Sequence, residues 1–304
     1  MDKDATISQL KAMLLKDVAY LCRRRERLWS EPIVHTLRDI RRANVRAVLF
    51  GGTLRSLLLS RLQDQRFGRP RDVDIVVAGT SLDALREKFR SIITRETRFG
   101  GLRLERMNWQ FDVWPLHRTW AFLEDGTQEP HFSALPGTTF FNLEAIAVDV
   151  WVSPGRSRTI YSGNDQFFEG IMSQTIEINR QENPFPSLCV VRAFVMASST
   201  RFAIGPRLAH YLTVNGPALS DVELEEMQMK HYGRIRCEVS TMRKWLEYVS
   251  SCYAQNSHSP ITLPMHKQLR LWPEIEADRS RLNFHVLMDP RDGANCFAHS
   301  MEDE

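Results

Sequence analysis

The chain has no apolar run approaching the roughly 18 residues that a membrane-spanning helix needs, so no membrane partner is expected. Its start, Met1-Asp2-Lys3-Asp4, lacks the basic opening and apolar core of a secretory signal. Cysteine is scarce: Cys22, Cys189, Cys237, Cys252 and Cys296 are odd in number, scattered, and never spaced Cys-x-x-Cys. That pattern excludes a disulfide framework and a four-cysteine zinc site, and it reads as reduced thiols in a cytoplasm. The nine histidines form no metal-spaced cluster. Internal repeats and low-complexity segments are missing too. What is left is the composition of a soluble globular protein of 304 residues, 43% hydrophobic and 25% charged. That length suits one large domain or two smaller ones.

The stretch richest in chemistry runs from Val48 to Val77. The apolar run Val48-Leu49-Phe50 stops at Gly51-Gly52 and resumes at helical spacing through Leu54, Leu57 and Leu58. This reads as strand, tight turn and helix. Two glycines let the backbone approach a bulky anion, and the unpaired N–H groups of the helix start point at it. A second apolar strand follows, Asp72-Val73-Asp74-Ile75-Val76-Val77. Side chains alternate along a strand, so Asp72 and Asp74 share one face. Two neighbouring carboxylates repel unless a cation lies between them, and a hard divalent ion is the natural occupant. A glycine-turn phosphate cradle beside paired carboxylates is what nucleotidyl transfer requires.

Net charge is only +3, yet arginines crowd the segment from Arg23 to Arg71, opposed there only by Glu26, Glu31, Asp39 and Asp64. Either these are solvated helix faces or they build a positive field that recruits a nucleotide or RNA.

Periodicity predicts two helices within residues 6–45, broken near Ser30-Glu31-Pro32. A helix is expected from about Thr80 to Ile93, then a hairpin with limbs Leu102–Glu105 and Trp109–Trp114. In the second limb Phe111 and Val113 share one face, and Gln110 and Asp112 the other. Asp112 is therefore a candidate third metal ligand, or else a solvent-facing acid on an edge strand. Residues 121–137 read as a loop and Phe141–Trp151 as a strand. A short helix is expected around Asp165–Met172 and an extended segment at Thr175–Ile178. Helices follow near 187–200, 206–213, 219–231 and 235–255. Residues 260–273 read as a connection and 290–304 as a loose tail.

Gly51-Gly52-Thr53-Leu54-Arg55-Ser56, then Arg71-Asp72-Val73-Asp74-Ile75-Val76, resembles the head domain of bacterial-type poly(A) polymerases and CCA-adding tRNA nucleotidyltransferases. That family writes Gly-Gly-x-Val-Arg-Asp and then Asp-x-Asp on the next strand. Asp112 sits where the family has an acid on a later strand. Phe141–Asp149 resembles its Phe-Thr-Ile-Asn-Ala-Leu-Ala stretch, and Val191-Arg192-Ala193-Phe194 resembles its neck helix. The similarity covers roughly residues 46–212. It implies an α+β fold: a polymerase-β-like mixed sheet with flanking helices, followed by an all-helical neck and body. The implied domains are N-terminal helices (1–45), a nucleotidyltransferase head (46–180) and a helical neck and body (181–304).

The resemblance further implies that Asp72, Asp74 and Asp112 hold two Mg²⁺ ions, with a nucleoside triphosphate as substrate. Gly51, Gly52, Thr53, Arg55 and Arg192 would bind that triphosphate. Arg55 could equally be a solvated helix residue, and Arg192 part of an internal salt bridge. Departures from the family bear on specificity. Its Arg-Asp becomes Arg55-Ser56, its Arg-Arg-Asp becomes Thr138-Thr139-Phe140, and its base-reading Glu-Asp-x-x-Arg falls on Phe185-Pro186-Ser187-Leu188-Cys189. The carboxylates are kept and the base reader is not. The expectation is therefore a nucleotidyltransferase acting on RNA, tRNA 3′ ends included, with a base choice other than CCA. The alternatives are an enzyme modifying a small molecule or protein hydroxyl, and a catalytically silent binding descendant.

Overall fold

The structure, a computed structural model, describes residues 6–23, 31–42, 45–65, 67–126, 129–152 and 157–264. All of them belong to one compact unit. The expected tail at 290–304 and most of the connection at 260–273 lie outside the described residues.

Two amphipathic helices come first, α1 (Ile7–Arg23) and α2 (Glu31–Arg42). Leu10, Leu14, Val18 and Leu21 recur every three or four residues along α1 and are all buried, which is the stripe a packed helix presents. Then come β1 (Arg46–Phe50), α3 (Gly52–Leu62), β2 (Val73–Ala78), α4 (Leu82–Phe89), β3 (Ile93–Glu96), β4 (Leu102–Arg106) and β5 (Trp109–Pro115). After α5 (Trp120–Asp125), the strands β6 (Ala147–Asp149) and β7 (Ile160–Tyr161) complete a seven-stranded sheet, ordered β3-β4-β5-β2-β1-β6-β7. β2 and β5 run parallel, while the other neighbours run antiparallel. The mixed sheet and its flanking helices have the α+β architecture expected of the chain.

Alternation gives the sheet two unlike faces. Leu49, Val73, Ile75, Phe111 and Val113 point one way and are buried, with α3 lying over β1 and β2. Val48, Phe50, Val76, Leu116, Phe122, Phe132, Leu135 and Ala147 form a second cluster on the other side. There α5 and a 3₁₀ segment (Phe132–Thr138) cover the sheet. Each buried Phe or Leu contributes about 1.5–3 kcal/mol, so both coverings are held firmly. The carboxylate-bearing positions lie on this second face, at the end these coverings leave clear.

The remaining chain is helical: α6 (Gln166–Ser173), α7 (Pro186–Thr200), α8 (Pro206–Asn215), α9 (Asp221–Tyr232) and α10 (Val239–Gln255). A two-stranded ladder of β8 (Thr175–Ile176) and β9 (Ala203–Ile204) lies among them. Helix α7 is apolar nearly all round, with Val190, Val191, Ala193, Phe194 and Ala197 buried, as befits a central helix. Helix α9 opens on a capping box of Ser220 and Glu223 and closes at Gly233, whose φ is 69°.

The expected helices and hairpin form, with Met107 and Asn108 turning the hairpin at φ 50° and 63°. Three expectations fail. Residues 121–137 hold α5 and the 3₁₀ segment rather than a loop. The strand expected over Phe141–Trp151 shrinks to Ala147–Asp149, preceded by a 3₁₀ turn at Asn142–Glu144. Asn142 causes this: its Oδ1 accepts from the N–H groups of Leu143 and Glu177, and its Nδ2 donates to the Thr175 carbonyl. Helix α4 stops at Phe89, where the Ile92 N–H turns back to the Phe89 carbonyl at 2.8 Å, and the edge strand β3 follows.

Candidate active site

Strand register lines up four side chains on one face. Phe50 pairs with Asp74, Asp74 with Asp112, and Asp112 with Arg103. Residues paired directly across neighbouring strands project to the same side. Asp72, two residues before Asp74, joins them. The three candidate carboxylates therefore converge, and their mutual repulsion is felt most by Asp74. Burial, then the charges of Asp72 and Asp112, push its carboxyl well above the ordinary range.

Beside Asp74 the chain bends at Gly51, with φ 66° and ψ −126°, a conformation that side chains resist. The Gly51 N–H donates to the Ile146 carbonyl at 3.0 Å, and its own carbonyl accepts from Leu54 and Arg55. Helix α3 starts here, so the N–H groups of Gly52 and Thr53 are left at a positive helix end. The Thr53 hydroxyl is not directed at a ligand. It donates to the Asp72 carbonyl at 3.0 Å and so ties the helix start to the aspartate strand.

Arg55 and Arg192 reach the same cleft but share a partner inside the protein. Glu144 accepts from Arg55 Nη1 at 3.1 Å and from Arg192 Nη2 at 2.6 and 2.7 Å. Burial would raise the Glu144 carboxyl, but the two guanidiniums outweigh it and bring its pKa down to about 2. Arg71 is similarly engaged. It donates to Asp72 Oδ2 from Nε and Nη2 at 3.0 and 2.9 Å, and from Nη1 to His231 Nε2 at 2.7 Å. Burial, then the cationic Arg71 and Arg192, hold His231 neutral with a pKa of about 3.

These groups line a cleft of about 790 Å³ whose walls are the sheet face, α3, α7 and the end of α9. Six arginines border it: Arg55, Arg69, Arg71, Arg192, Arg234 and Arg236. The Tyr232 ring receives the guanidiniums of Arg71 and Arg236 at 5.4 and 5.9 Å. Sequence reasoning missed Glu144, His231 and Tyr232 as cleft residues, and Arg103 as the partner of Asp112. Arg103 was legible once the hairpin register was drawn, because it falls opposite Asp112. His231 and Tyr232 carry no local signal; only the packing of α9 brings them in.

No donor is seated on the Asp74 carboxylate among the described residues, and Asp72 carries Arg71 on Oδ2 alone. This pair fits one hard cation. Asp112 does not fit as it stands, because Arg103 takes both of its oxygens, from Nε at 2.7 Å and from Nη2 at 2.5 Å. Among the described residues no three acidic, cysteine or histidine side chains are placed to hold an ion together.

No family model and no curated relative matches the chain. Solved structures resemble it distantly. A CCA-adding enzyme in complex with ATP is 14% identical over 75% of this chain and 54% of its own, with a TM-score of 0.49. A tRNA nucleotidyltransferase with a primer tRNA and an incoming ATP analogue is 15% identical over 72% and 59%, at 0.45. A tRNA-processing enzyme in an apo form is 16% identical over 74% and 56%, at 0.46. The chain spans little more than half the length of each.

Proposed function

We propose that the chain is a metal-dependent nucleotidyltransferase that moves a nucleoside monophosphate from a nucleoside triphosphate to a hydroxyl of RNA, tRNA 3′ ends included, with a base choice other than CCA. One observation carries the reading: the Gly51 bend and the start of α3 abut Asp74 in an arginine-lined cleft, and Asp74 stands in register with Asp112 on a parallel strand.

In this reading the N–H groups of Gly52 and Thr53 bind phosphate oxygens at the helix start. Arg69, Arg234 and Arg236 at the border orient the triphosphate and offset the charge of the leaving pyrophosphate. Asp72 and Asp74 would hold a divalent ion, which when bound polarises the phosphoryl group. Asp112, fixed in orientation by Arg103, keeps lone pairs that can accept a hydrogen bond from the attacking hydroxyl. Arg55 and Arg192 act from behind, through Glu144, as positioning residues for the wall. Asp72→Ala or Asp74→Ala should abolish incorporation of labelled monophosphate while circular dichroism stays unchanged. Transfer retained by either variant refutes the assignment.

The pairing of Arg103 with Asp112 favours a second reading, a silent nucleotide- or RNA-binding descendant. Calorimetry supports it if triphosphate binds and no acceptor, small molecule or protein included, is ever labelled.

A further inference from the structure

We infer that Arg103 is a built-in cation standing where a second divalent ion would otherwise sit, so that the chain takes one ion, on Asp72 and Asp74, and not two. The inference rests on the carboxylate cluster assigned above as a metal site, not on the identity of the acceptor.

Arg103 is delivered by the sheet itself. It lies on β4 directly opposite Asp112 on β5, and its fork meets both carboxylate oxygens. Its Nη2 continues across β5 to 3.8 Å from Asp72 Oδ2. One guanidinium thus bridges Asp112 and Asp72, the position of a shared ion. The contact is bidentate and charge-assisted, the strong and directional kind. Its two partners are largely shielded from water, with side chains 18% and 15% exposed. A guanidinium stays charged at every ordinary pH, so no titration of Arg103 frees Asp112.

Charge matching points the same way. Asp72, Asp74, Asp112 and Glu144 meet four guanidiniums in all, Arg71 on Asp72, Arg103 on Asp112 and both Arg55 and Arg192 on Glu144, so the charges match in number and Asp74 alone is left without a guanidinium. A pair of dications needs surplus negative charge, and this cluster has none to offer. Only Asp74 keeps a carboxylate on which no donor is seated among the described residues. Asp72 Oδ1, the oxygen that Arg71 leaves clear, then completes a site for one hard cation.

The test is Mn²⁺ titration of the full chain by electron paramagnetic resonance, without nucleotide or RNA, so that metal count is read apart from activity. Wild type is expected to bind one Mn²⁺ per chain, and Asp74→Asn none. Arg103→Met should bind two, and the double variant Arg103→Met/Asp112→Asn one again. Two ions on wild type, no ion on wild type, or a single ion on folded Arg103→Met would each overturn the inference. If Arg103→Met fails to fold, the wild-type count alone decides. A wild-type count of one in a chain that labels no acceptor would leave this inference standing while the transfer reading falls.

Discussion

Arg192 donates from Nη2 to both oxygens of Glu144, at 2.6 and 2.7 Å, and so fastens α7 to the 3₁₀ turn that precedes β6. Arg55 adds α3 to the same carboxylate. Removing it strands two guanidiniums in a largely buried position. Glu144→Ala should therefore destabilise the fold by about 3–5 kcal/mol, the range for breaking a buried ion pair from one side. Urea unfolding monitored by circular dichroism measures this. A loss below about 1 kcal/mol would mean that the pair is solvated in the manner of a surface bridge.

The same carboxylate makes stability depend on acid. Its folded pKa of about 2 lies below the ordinary glutamate value of 4.5, so the unfolded state binds the proton more tightly. The stabilisation is complete above about pH 4.5 and is lost as pH falls toward 2. The gap in melting temperature between wild type and Glu144→Gln should accordingly narrow across that window. A gap that stays constant from pH 6 to pH 2 would contradict the arrangement.

Asp74 has the opposite sign. Its carboxyl is raised by burial and by Asp72 and Asp112, so the folded state binds the proton more tightly than the unfolded one. Stability then falls as pH rises above the ordinary aspartate value of 3.8. Without added metal, Asp74→Asn should melt higher than wild type at neutral pH, each kcal/mol regained being worth about 2–4 °C. Differential scanning calorimetry in a chelating buffer decides. A lower melting temperature would show that the carboxylate is satisfied within the protein.

If RNA is the acceptor, its phosphates meet the arginines at the cleft rim. Binding of tRNA should weaken linearly in log affinity with log salt, and Arg234→Ala should reduce that slope by about 1. Fluorescence anisotropy between 50 and 300 mM salt measures it. A slope near zero would favour a small-molecule or protein acceptor.

The legible part of the molecule was whatever local pattern dictates. The helices after residue 186 announced themselves near their observed places, at 187–200, 206–213, 219–231 and 235–255. The Gly51-Gly52 turn was legible as well, and alternation put Asp74 on one face with Asp72 and Asp112 on the face opposite Phe111 and Val113; that the two strands pair Asp74 with Asp112 was not. What escaped was non-local. The turn at Asn142–Glu144 depends on Asn142 reaching Thr175 and Glu177, more than thirty positions on. The arginine-rich approach looked like a field for a ligand, yet Arg55 and Arg71 are turned inward by Glu144, Asp72 and His231. No spacing rule reports such partners, because each is chosen by packing between helices and sheet.

The most direct measurement incubates wild type and Asp74→Asn with each α-labelled nucleoside triphosphate, Mg²⁺ and total cellular RNA, then follows the label on a denaturing gel. Wild type should label a discrete RNA pool from at least one triphosphate, and Asp74→Asn should label none. Equal labelling by both proteins, or no labelling by wild type with any of the four, would contradict a nucleotidyl-transfer site built on these aspartates.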